Sequence, residues 1–248
     1  GSGATDTNGN FNINVADTAT REVTVRVLAS TTQTPDIDFS VVDDLNENAI
    51  YSYHDGGSDV SDHSMTMDVN FGTMLMPAAI GNVVTTDWSS QIFNILDLCI
   101  RAADWITSVD GARPSQPLTI GWNPDRDTSR TGSSYSSSSN RINLADDDGY
   151  DDPNILHEIG HWVEDEFGRS RNIGGSHSSS DDDQDPRLSW SEGFATAVSG
   201  ATLNFHGLPH PNIYSDRDSF DSDGGGGFAY NFELGQNGGS TQERAVSA

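Results

Sequence analysis

Two histidines four residues apart, with a glutamate beside the first, stand in the run His157-Glu158-Ile159-Gly160-His161. On a helix of 3.6 residues per turn, positions 157 and 161 share one face. Their imidazoles can reach one tetrahedral Zn²⁺ at about 2.0–2.1 Å. Glu158 is turned roughly 100° from the first histidine, so it reaches a water on the metal without ligating the metal itself. Zinc lowers the pKa of such a water toward ~7, and the carboxylate can accept its proton. The expected chemistry is attack of that water on a peptide carbonyl, with Glu158 as general base.

A site of this kind needs a third protein ligand and one open position. The metzincin pattern asks for Gly at 164 and His at 167; this chain has Glu164 and Phe167, which excludes it. The leading candidate is Glu192, in Trp190-Ser191-Glu192-Gly193-Phe194-Ala195. A glutamate set among Trp190, Phe194 and Ala195 is not a typical solvated charge. The small residues Gly193, Ala195, Ala197 and Gly200 permit close approach of a second helix. His177, in Gly174-Gly175-Ser176-His177, is the rival third ligand, on a loop able to fold over the metal.

His157-Glu158-x-x-His161 followed by Glu192-Gly193-Phe194-Ala195 resembles the gluzincin group of metallopeptidases over roughly residues 87 to 205. The sequence departs from that group in having Ser191 where many relatives carry Asn, and in a longer spacing between the second His and the Glu. The resemblance implies an active-site helix, a glutamate helix, and an edge strand that holds the substrate main chain by β-addition. By position that strand is Arg141, Ile142, Asn143, Leu144 and Ala145. The resemblance also implies a Tyr or His near the oxyanion, for which His206, His210 and Tyr214 are the candidates.

These residues need elements to position them. Asp152 as N-cap, Pro153 at the first helical position and Gly168 past the end predict a helix to about Phe167. Asp185-Pro186 repeats the start signal for a helix over about 186–204. Apolar residues Ile92, Phe93, Ile95, Leu96, Cys99, Ile100, Ala103 and Ile106 recur at helical spacing between Asp87 and Val109. Leu118–Trp122 and Arg141–Ala145 read as strands, separated by a Ser-rich loop, 131–140, expected to be mobile. Residues 1–82 look β-rich, with alternating Val23, Val25, Val27. The turn Asp6-Thr7-Asn8-Gly9-Asn10-Phe11 resembles one found in transthyretin-like or carboxypeptidase-regulatory-like β-sandwiches. The expected fold is α+β: a β-sandwich portion over 1–82, then a zincin-like metallopeptidase domain over 83–248 with a small mixed sheet.

The formal net charge is −26, from 38 Asp and Glu against 12 basic residues, every one of them arginine. Dense carboxylates without lysine point to a halophilic protein, where salt screens their repulsion. Nucleic acid is excluded as a partner, because phosphate binding needs clustered Lys and Arg. No run approaches the ~20 apolar residues of a membrane span, and no N-terminal stretch reads as a signal peptide. The expected setting is extracellular, as a monomer acting on a protein or peptide. A single cysteine, Cys99, excludes an internal disulfide and reads as a buried hydrophobe. Asp146-Asp147-Asp148, Asp181-Asp182-Asp183 and Asp185 read either as structural Ca²⁺ ligands or as solvated acidic surface. The alternative function is a catalytically inactive, zinc-stabilised binding or adhesion module, or a β portion that binds glycan. The intact Glu158 argues against the first; the lack of an aromatic stripe argues against the second.

Overall fold

The structure, a computed structural model, describes residues 2–6, 9–31, 37–54, 59–74, 89–125, 132–168, 173–175, 184–209, 211, 213–216 and 228–231. In chain order the elements are β1 (Thr20–Val23), β2 (Val27–Leu28), β3 (Phe39–Asp43), β4 (Ala49–Ile50), β5 (Ser52–Tyr53), β6 (Val60–Ser64), α1 (Ser89–Asp110), β7 (Leu118–Trp122), β8 (Ser134–Ser136), β9 (Arg141–Asn143), α2 (Asp152–Phe167), α3 (Pro186–Phe205), β10 (Ile213–Asp216) and β11 (Phe228–Asn231). The fold is mixed α+β. A five-stranded sheet runs in the order β4-β3-β7-β9-β8, and β1–β6, β2–β5 and β10–β11 form two-stranded ribbons.

The sheet interior is parallel: β3 pairs with β7 from Phe39↔Leu118 to Asp43↔Trp122, and β7 pairs with β9. Parallel strands are covered on both faces and read as apolar runs. Phe39, Val41, Leu118, Ile120, Trp122 and Ile142 are accordingly sealed from solvent. Helices α1 and α2 bring Ile95, Leu98, Cys99, Ile155 and Ile159 into the same core. Trp162 meets Phe39 edge-on, ring centroids 5.5 Å apart. Burial raises the Cys99 thiol pKa far above its ordinary value, which leaves it inert.

The N-terminal part departs from a separate sandwich. Strands β3 and β4 lie in the same sheet as β7, so hydrogen bonding crosses the expected division at residues 82 and 83. The remaining described N-terminal strands are two-residue to five-residue ribbon pieces, and the alternating Val23 to Val27 run is split between β1 and β2.

The Ser-rich segment also departs from expectation. It contains β8, which pairs antiparallel with β9 through Tyr135↔Ile142. Tyr135 supplies the apolar body this polar segment otherwise lacks, and its hydroxyl donates to Asp165 at 3.1 Å on α2. The sheet therefore ends at β8. Strand β9, expected at the edge, is flanked on both sides. Ile142 and Leu144 are buried in the core, Leu144 N–H donates to Gly121 O at 2.9 Å, and Ala145 N–H donates to Ser133 Oγ at 3.0 Å. The main chain of 141–145 is thus spent on internal bonds, and among the described residues the sheet ends on that side at Ser134–Ser136.

Candidate metal centre

Helix α2 starts one residue before Pro153, with Asp151 rather than Asp152 at the cap position and no side-chain cap bond there. Asp152 instead accepts from Asn94 Nδ2 of α1 at 2.9 Å, tying the two helix starts together. Helix α3 begins as its sequence signal predicts: the Asp185 side chain accepts from Arg187 N–H at 2.9 Å, with Pro186 in the first turn. A side chain at position 160 would force α2 and α3 apart. A Cβ at Gly160 would lie 2.7 Å from Ala195 Cα and 2.8 Å from its carbonyl oxygen. The Gly160–Ala195 pair therefore sets how closely α2 and α3 approach.

That approach brings His157, His161 and Glu192 together, with one ligand-type atom from each lying within 4.8 Å of the others. His157 Nε2 stands 3.1 Å and His161 Nε2 3.2 Å from the same oxygen, Glu192 Oε2. Ligands of a tetrahedral zinc at about 2.0–2.1 Å lie roughly 3.3 Å from one another, so the donor set fits such an ion. The imidazole planes are nearly perpendicular, 88°. Both outer nitrogens are also engaged: His157 Nδ1 with Thr196 Oγ1 at 3.1 Å, His161 Nδ1 with Ser191 Oγ at 3.3 Å. Outer partners of this kind fix which ring nitrogen faces inward.

The group is deeply set. Relative exposure is 8% for His157, 6% for Glu158 and 3% for Glu192. Burial works to lower the pKa of His161, but the hydrogen bond to Glu192 and the charges of Glu192, Glu158 and Glu164 outweigh it, and the net shift is upward. Glu158 thus sits close enough to act electrostatically on the second histidine.

Other candidates fall elsewhere. His206 caps the end of α3, and its Nε2 is 2.9 Å from the carbonyl oxygen of Arg101 on α1. The ring is held at that end of the helix by an internal bond, which removes it from the oxyanion candidates. Tyr214 lies on β10 opposite Tyr230, its side chain outside the described residues, as are His177 and His210 entirely. Asp148 is buried and accepts from Ser133 Oγ and Asn154 Nδ2, so it serves the loop before α2. Among the described residues, the Asp146–Asp148 run does not form a metal-holding group. Asp181–Asp183 lie outside them, and Asp185 caps α3 and pairs with Arg187 at 2.8 Å.

Sequence reasoning missed Thr196 and the role of Ser191. The signal was available for Thr196, since Glu192 and Thr196 are four apart and share a helix face.

A mixed α+β chain with a buried His-His-Glu group is the class that fold and site define. Residues 103–218 match the family model of the Mycolysin C-terminal domain, a domain associated with secreted zinc metallopeptidases. The match takes in His157, Glu158, His161 and Glu192. No curated protein and no solved structure matches the chain. Among the described residues no helix is long and apolar enough to cross a membrane.

Proposed function

We propose that this chain is a secreted, zincin-like endopeptidase of gluzincin type, with His157, His161 and Glu192 as zinc ligands. The observation that carries this reading is the convergence of both Nε2 atoms on one Glu192 oxygen at 3.1 and 3.2 Å. Bound there, zinc supplies Lewis acidity toward water and the scissile carbonyl. Glu158, next to His157 and buried, takes the proton of the attacking water and returns it to the leaving nitrogen. Thr196 and Ser191 hold the two imidazoles with Nε2 inward. The substrate main chain lies along β8, Ser134–Ser136, the edge of the sheet on that side among the described residues, which packs beside α2. The 141–145 strand supports that edge from behind.

A second reading keeps the metal and drops the chemistry: a non-catalytic, zinc-stabilised part of a metallopeptidase. The Mycolysin C-terminal match is compatible with it. One experiment separates the two. Purified parent, Glu158→Gln and Glu192→Ala are assayed for zinc content and for cleavage of casein. The expected result is one zinc in the parent and in Glu158→Gln, turnover lower by several orders of magnitude in Glu158→Gln, and zinc lost from Glu192→Ala. Zinc-loaded parent without turnover favours the second reading. Stoichiometric zinc in Glu192→Ala assigns the third ligand elsewhere, with His177 next in line.

A further inference from the structure

We propose that Glu164 is a positioning residue for the metal centre, acting through Ser191 to hold the His161 ring with Nε2 toward Glu192; this rests on the metal reading above. Glu164 follows His161 by three residues on α2, so both lie on the face turned to α3. Ser191, adjacent to Glu192 on α3, sits between them. Its Oγ is 2.5 Å from Glu164 Oε2 and 3.3 Å from His161 Nδ1. Ser191 is fully buried and Glu164 is 7% exposed.

The direction of the chain of hydrogen bonds follows from the inventory of protons. A serine hydroxyl has one proton to give and accepts two bonds, while a carboxylate only accepts. The short contact to Glu164 therefore takes the Ser191 proton. The serine oxygen is left to accept from Nδ1–H of His161. That fixes the tautomer with the lone pair on Nε2, the atom nearest Glu192. With Glu164 ionised, the opposite arrangement, with Ser191 donating to His161, would set two lone-pair-bearing oxygens 2.5 Å apart with no proton between them. A buried carboxylate is costly unless hydrogen-bonded, and this bond is short and out of water, where it is strongest. The outer nitrogen of His157 meets Thr196 Oγ1 at 3.1 Å.

The test is zinc affinity of the full chain, by competition with a chromophoric chelator, for parent, Ser191→Ala, Glu164→Gln and the double variant. Outer partners of metal-bound histidines typically change affinity by 10–100-fold. Ser191→Ala is expected to weaken zinc by that amount. Glu164→Gln keeps shape and an acceptor for Ser191 but loses the charge, and is expected to weaken zinc by about 3–10-fold. The double variant should lose much less than the product of the two single losses, because Glu164 holds the ring through the serine and adds only its charge beside it. With Co²⁺ in place of zinc, both single variants should shift the visible absorption bands, a change that a merely structural role would not produce. Parent-like affinity in Glu164→Gln, or losses that multiply in the double variant, would overturn the relay while leaving the metal site standing. A parent that binds no zinc would instead overturn the metal reading, and the relay with it.

Discussion

Helices α2 and α3 pack backbone to backbone at Gly160, between the two histidines of the proposed metal centre, which makes Gly160→Ala an informative perturbation. The added methyl would lie 2.7 Å from Ala195 Cα. Carbon atoms prefer about 3.5–4.0 Å, so the helices must part by roughly 0.8 Å or more. Both atoms that resist are backbone, and no side chain can swing away. Two stability effects oppose each other. Alanine favours helix over glycine by about 1 kcal/mol, and overpacking costs about 1–3 kcal/mol. The net loss is between ~0 and ~2 kcal/mol, and the chain should still fold. The metal group is less forgiving. Glu192 lies three residues before Ala195 and moves with α3, whereas ligand distances must hold to within about 0.2 Å. Zinc affinity should therefore fall by at least ~10-fold, more than the change in melting temperature alone suggests. Thermal melting of the apo chain and chelator competition, run side by side, read the two effects. A folded Gly160→Ala protein with parental zinc affinity would refute the claim that this contact sets the ligand spacing.

Two further outcomes are expected. Hydrogen bonds from Arg187 hold the Asp185 carboxyl down at about 2. A depressed carboxyl adds stability that is present above its ordinary value of 3.8 and lost as pH falls toward 2. The melting-temperature advantage of the parent over Asp185→Asn should thus shrink between pH 5 and pH 2.5; an advantage that grows on acidification would contradict the cap pairing. The net charge of −26 should make stability rise with salt. The Debye length falls from about 10 Å at 0.1 M to about 3 Å at 1 M. In calcium-free buffer the melting temperature should climb steadily from 0.05 to 2 M NaCl, and a flat or falling curve would remove salt adaptation as the reason for the acidic surface.

What was legible in the sequence was mostly local. Asp185-Pro186 and Pro153 with Gly168 mark α3 and α2 to within a residue or two, because caps and proline act on neighbouring backbone. His157 and His161 come from one helix, so their meeting needs only the helical period. Strand β7 is read correctly because Leu118–Trp122 is apolar and short. Apart from the α2 cap, which falls on Asp151 and not Asp152, the failures are non-local. Nothing in Phe39–Asp43 announces that it pairs with β7 rather than within an N-terminal sandwich, since parallel pairing joins segments separated by a long crossover. Strand β8 is hidden because Ser134 and Ser136 have little strand preference and only Tyr135 packs. The interior place of β9 follows from β8, so missing one strand misplaced the edge. Glu164 served in the sequence only to exclude a pattern, and its use emerges only when α3 places Ser191 beside it.

The electrostatics of the centre give an independent reason to expect a cation there. Glu158, Glu164 and Glu192 are 6%, 7% and 3% exposed. Three carboxylates on facing helix surfaces repel one another and lose hydration, a combination tolerated only when charge or hydrogen bonds compensate. Ser191 gives Glu164 a hydrogen bond, but neither helix places a cation beside the three carboxylates. Helix α2 contains no Arg or Lys, and the one arginine of α3, Arg187, is committed to Asp185 at its first turn. Burial works to lower the pKa of His161, and the hydrogen bond to Glu192 with the charges of Glu192, Glu158 and Glu164 raises it on balance. A dication between the two Nε2 atoms and Glu192 offsets the same negative charge without requiring a proton on either ring, and it leaves both imidazoles neutral, as metal ligation demands. Buried carboxylate charge and the 3.1–3.2 Å spacing of the donor atoms are separate observations, and each supports the proposed metal.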